Sequence, residues 1–93
     1  MIKILGKKYD IVFKDDSVLN TGMVGHYDGT KNRIDILRGM SKDQTNETIL
    51  HESIHAISDA LGLELEERDV TSLSTAIFAV LRDNHIKVDF KQT

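Results

Sequence analysis

The sequence predicts an α+β fold, and three stretches predict it. The first forty residues are rich in β-branched and aromatic side chains, punctuated by glycine and by Asp/Asn. Residues 44–61 place Leu50, Ile54, Ile57 and Leu61 at helical spacing, with Ile49, Ala56 and Ala60 widening the stripe. Residues 66–83 show a second such stripe through Val70, Leu73, Ile77, Val80 and Leu81. A run of strands followed by a run of helices is the α+β order. With 93 residues the chain fits a single domain, 1–93. Such a domain buries roughly two-thirds of its unfolded surface, so a bound metal would add appreciably to its stability.

The elements follow in order. Residues 2–5 and 8–14 read as strands around a tight turn at Gly6-Lys7-Lys8. A loop is marked by Asp15-Asp16-Ser17 and Asn20-Thr21-Gly22. Residues 23–27 and 33–37 read as a second hairpin, because Asp28-Gly29-Thr30-Lys31-Asn32 has hairpin-loop chemistry. In its second arm Ile34 and Ile36 alternate with Arg33 and Asp35, which predicts one buried and one wet face. The long helix is expected over 44–61, with Thr45 a stronger N-cap candidate than Ser41, and Gly62 as terminator. Leu63-Glu64-Leu65 is a connector. The helix over 66–83 opens on Glu66, Glu67 and Asp69, where acids complement the helix dipole, and ends at Asp83-Asn84. Residues 86–90 read as a last strand or an extended tail.

Composition excludes several function classes. There is no cysteine, so disulfides and thiolate zinc sites are ruled out. The opening residues are too short and too charged for a signal peptide, and no apolar run approaches the ~20 residues that span a bilayer. The net charge is −3, without a basic cluster, which argues against a nucleic-acid partner. The expected location is cytoplasmic.

The chemistry concentrates in His51-Glu52-Ser53-Ile54-His55, which reads H-E-x-x-H inside the long helix. Histidines four apart project from one helix face and can reach a single metal ion. Glu52, beside the first histidine, can reach a water on that ion and take its proton as general base. Zinc is the expected cofactor, and with no cysteine its ligands must be His and carboxylate. A catalytic zinc needs a third protein ligand. No third histidine stands at the short downstream spacing of the metzincins. Glu64, Glu66, Glu67 and Asp69 are the acidic candidates, and a helical wheel slightly prefers Glu66, four before Val70. Asp59, one turn beyond His55, is read rather as a partner orienting an imidazole. His26 and His85 read as structural or solvated, and Tyr27 as a packing residue that could donate to an oxyanion if its hairpin lines the cleft.

The β-rich half, then Thr48-Ile49-Leu50-His51-Glu52-Ser53-Ile54-His55-Ala56-Ile57, the leucine-rich connector and the acid-led helix ending Leu81-Arg82-Asp83-Asn84 together resemble the small phage and prophage metallopeptidases. These are similar to the ImmA/IrrE-type and minimal gluzincin peptidases. The resemblance implies a zincin-like fold: a small twisted antiparallel or mixed sheet packed on an active-site helix and a glutamate-bearing helix. It also implies that the third ligand is the glutamate of Glu67-Arg68-Asp69-Val70, so the metal set becomes His51, His55 and Glu67. Larger relatives carry a C-terminal subdomain without counterpart here, which implies a shallow or open cleft. By analogy the substrate is a protein or peptide, such as a repressor-type regulator of a mobile element. The expected activity is zinc-dependent peptide hydrolysis. Its rival is a metal-stabilised, non-catalytic protein-interaction domain of a phage or mobile element.

Overall fold

Two hairpins supply the strands, and a parallel pairing joins them into one sheet. A computed structural model describes residues 1–15 and 22–90. It contains β1 (Ile2–Ile4), β2 (Lys7–Lys14), β3 (Gly25–Asp28), β4 (Arg33–Leu37), α1 (Lys42–Leu61) and α2 (Glu67–Asp83). The sheet order is β1-β2-β4-β3, with β2 and β4 parallel and both outer pairs antiparallel. β3 is therefore an edge strand. The α+β class with a mixed sheet and two helices is borne out. The loop expected at 15–22 falls outside the described residues except for Asp15 and Gly22.

The first turn is tighter than expected. Ile4 pairs with Lys7, and the two residues between them, Leu5 and Gly6, both have positive φ, at 51° and 81°. That is the backbone of a two-residue hairpin loop whose twist matches the strands. In the second hairpin the Asp28 carboxylate accepts from the Thr30 and Lys31 amides at 3.0 and 3.2 Å, fixing the loop.

The helix-facing side of the sheet carries the core. Ile4, Tyr9, Ile34 and Ile36 pack against Ile49 and Ala56 of α1, and Ile34, Ile36 and Ile49 are wholly buried. The opposite face of β4 is not wet at every position: Asp35 is only 4 % exposed. β4 is an interior strand, so Val12 and His26 stand beside Asp35, while Arg33 Nε and Lys14 Nζ reach its carboxylate at 2.8 and 3.3 Å. Two cations and two flanking strands cover a charge that would otherwise be costly to bury.

α1 begins at Lys42, earlier than predicted, and its N-cap is Ser41, not Thr45. Ser41 Oγ accepts from the Gln44 amide at 3.2 Å and Gln44 Oε1 accepts from the Ser41 amide at 3.3 Å, a reciprocal capping box. Thr45 lies inside the first turn. The helix stops where expected: Gly62 has φ 65°, and the Leu63 amide returns to Ser58 O at 2.9 Å.

α2 buries Val70, Ser74 and Phe78, one residue per turn, against α1. Leu73, Ile77 and Val80, expected in that buried face, remain 43, 40 and 59 % exposed. A helix with one neighbouring layer needs only a narrow stripe, and the sequence supplied a wider one. Residues 86–90 form no strand. They lie extended against α1, where the buried Asn46 side chain donates to Val88 O at 3.1 Å and accepts from the Phe90 amide at 3.2 Å. Among the described residues no helix is long and apolar enough to cross a membrane.

Candidate metal centre

α1 presents His51 and His55 on the face turned toward α2, with ring centroids 5.1 Å apart. α2 delivers Glu67 from its first turn. Glu67 Oε1 lies 2.7 Å from His51 Nε2, and Oε2 lies 2.8 Å from His55 Nε2. One donor atom from each of the three residues falls within 4.8 Å of the other two. Glu66, favoured by the wheel, is not in the group. It is the N-cap of α2, with extended φ −80° and ψ 162°, so it lies off the helical wheel, and its amide donates to Asp69 Oδ2 at 3.1 Å. Glu64 stands in the connector with φ 55°.

The donor set suits zinc. Ligands of a tetrahedral zinc at ~2.0–2.2 Å stand roughly 3.3 Å from one another. The Glu67 carboxylate, two-thirds exposed, has freedom to withdraw the short distance this requires. His51 is prepared for the task on its other side. Ser74 Oγ, in the buried face of α2, donates to Thr71 O at 3.1 Å and lies 3.4 Å from His51 Nδ1, where it can accept that nitrogen's proton once Nε2 is given over to a metal. A proton held on Nδ1 leaves the Nε2 lone pair free for a metal. Ser74 escaped the sequence reading, although it stands seven residues, two turns, beyond Glu67 on the same helix face.

Glu52 points into the same opening from 7 % exposure, with Oε2 4.0 Å from His51 Nε2. Burial pushes its carboxyl up to about 7; neighbouring Glu67 adds to the rise, while His51 and the main-chain amide of Tyr27 oppose it. Glu67 behaves differently. Partial desolvation works against its charge, but the two imidazoles hold its carboxyl below the usual range.

β3 forms the opposite wall. A cleft of about 550 Å³ is lined by Met23, Val24, Gly25 and Tyr27 together with His51, Glu52, His55 and Glu67. Asp59 does not orient an imidazole; it accepts the Tyr27 hydroxyl at 2.8 Å. Burial, reinforced by this bond, raises the Tyr27 phenol above its usual value. His26 sits exposed at the cleft rim, and His85 follows the end of α2; neither joins the three-donor group. Residues 86–90 line none of the cleft.

Chemically, the opening offers two imidazole nitrogens and a carboxylate converging from two helices, plus a buried carboxyl poised near neutrality. Comparison with protein-family models, with curated proteins and with solved structures gives no match.

Proposed function

We propose that the protein is a zinc-dependent peptidase of zincin-like fold, cytoplasmic and akin to the small phage and prophage metallopeptidases. The observation that carries this reading is the convergence of His51, His55 and Glu67 beside the buried carboxyl of Glu52 in an open cleft. His51, His55 and Glu67 hold the metal. When bound, zinc polarises a peptide carbonyl and brings the pKa of water to ~7. Glu52 takes the proton from the attacking water and passes it to the departing amine. Its position beside His51, buried at the edge of the cleft, puts Glu52 within reach of both transfers. Glu67 supplies one negative charge to the site, and Ser74 holds His51 in its ligating tautomer.

The open cleft beside an edge strand suits an extended peptide, whose main chain could pair with β3. That shape supports a protein or peptide substrate. A second reading, a metal-stabilised interaction domain, is favoured by the exposed Leu73, Ile77 and Val80 face of α2.

Metal content tests the site, and a change at Glu52 separates the two readings. Protein purified without added metal or chelator should carry one zinc per chain, lost in Glu67→Ala and kept in Glu66→Ala. Glu52→Gln should keep the zinc and lose hydrolysis of a peptide library. A wild type that takes up no zinc even when supplied would sink the enzyme reading.

A further inference from the structure

β3 and α1 run side by side, and β3 approaches the helix more closely than most residues would allow. A Cβ placed on Gly25 would stand 2.6 Å from Thr48 Cγ2 and 3.0 Å from Glu52 Oε2. Four residues on, a Cβ on Gly29 would stand 2.7 Å from the Tyr27 hydroxyl and 3.2 Å from Asp59 Oδ2. The 2.6 and 2.7 Å separations are shorter than real Cβ contacts, and the 3.0 and 3.2 Å ones are tighter than most. Between the two glycines, Tyr27 meets α1 twice: its main-chain amide is turned toward the Glu52 carboxylate, and its hydroxyl donates to Asp59 Oδ2 at 2.8 Å. The strand register explains the direction of that amide. The Leu37 amide donates to Val24 O at 2.8 Å, so the antiparallel alternation turns the main chain of Gly25 and Tyr27 toward the free edge of the sheet. That edge faces the cleft.

We propose that the Gly25–Gly29 segment is a positioning device for Glu52, in which the two glycines let β3 lie against α1 and the Tyr27 amide holds the carboxylate in place. The inference rests on the reading of Glu52 as general base. Gly25 and Tyr27 are positioning residues, because neither transfers a proton. Glu52 Oε2, 4.0 Å from His51 Nε2, is also the oxygen that a Cβ on Gly25 would meet at 3.0 Å. A methyl group at position 25 would push that carboxylate off line, and a displacement of about 1 Å costs roughly 100-fold in rate.

The test uses amide hydrogen exchange on the metal-free chain and steady-state kinetics on the zinc-loaded chain. The Tyr27 amide should be protected in wild type and lose protection in both Glu52→Ala and Gly25→Ala. Zinc-loaded Gly25→Ala should keep its metal and its KM while kcat falls roughly 100-fold. Adding Thr48→Ser removes the Cγ2 that the new methyl strikes but leaves Glu52 in its way. The double variant should therefore recover thermal stability without recovering kcat. Recovery of kcat along with stability would reduce Gly25 to a packing role and overturn the inference. So would Tyr27 exchange that is the same in wild type and Glu52→Ala. A wild type that binds zinc yet cleaves no peptide defeats the peptidase reading separately, and amide exchange still decides whether Tyr27 tethers the carboxylate.

Discussion

Glu52 is where stability and chemistry pull apart. Its carboxyl has an ordinary value of 4.5 and a folded value of about 7. Between those pH values the folded chain retains a proton that the unfolded chain has released, so stability falls as pH rises through this window and stays lower above it. Glu52→Gln removes that cost and still accepts the Tyr27 amide through its carbonyl. The metal-free variant should therefore melt above wild type at pH 8, by ~5 °C or more, with the difference vanishing near pH 4. Equal melting temperatures at both pH values would show that the carboxylate is adequately solvated. Ser74→Ala is the complementary change. With His51 Nδ1 left unsupported, zinc affinity should fall ~10–100-fold in a competition titration against a fluorescent chelator, while fold and helix content persist.

The elements divide into those whose local chemistry reports them and those whose neighbours decide. α1 was legible because its apolar period, Gly62 and the H-E-x-x-H spacing agree. Its cap was misread because the capping box here uses Gln44, a less conspicuous partner than glutamate, and Thr45 drew attention one turn too late. Ser41→Ala should cost about 1 kcal/mol in urea unfolding and Thr45→Ala much less. α2 was legible as a helix but not in its orientation. Leu73, Ile77 and Val80 equal in number the residues that pack, and Ser74 and Phe78 join Val70 in the packed face instead. Glu67 is chosen over Glu66 by the resemblance alone; a wheel drawn from the sequence prefers Glu66 because it starts the helix one residue too early. The tail was undecidable from sequence because its fixing point is distant. Asn46 supplies one donor and one acceptor to residues 88 and 90, as a neighbouring strand would. Asn46→Ala removes two part-buried hydrogen bonds that hold the tail. It should destabilise the chain by about 2–3 kcal/mol and release Phe90 from the core, seen as new exchange at residues 86–90.

Across the whole molecule, the parallel pairing of β2 with β4 is what no local pattern announced. Two hairpins were visible; that they join through their inner strands, leaving β3 at the edge beside α1, depends on contacts far apart in sequence. The same arrangement explains why Gly25 and Gly29 read as mere punctuation in the sequence. Zinc should stabilise the whole by binding the paired helices and not the unfolded chain, adding about 4 kcal/mol at a free concentration 1,000 times its Kd. A chelator should return the melting temperature to the metal-free value.

The separation of the site's parts along the chain carries a temporal consequence. Both histidines and Glu67 lie within one short stretch, with His51 and Glu67 16 residues apart, whereas the Tyr27–Asp59 bond spans 32 and requires the completed sheet. Local helix pairs close faster than non-local strand pairings. During refolding in the presence of zinc, metal uptake should therefore outrun the return of hydrolysis, resolved as two phases by chelator-dye release and peptide cleavage. On the peptidase reading proposed above, a newly made chain would pass through an interval in which it is already loaded but still harmless to its neighbours, because the strand that arms the base arrives last.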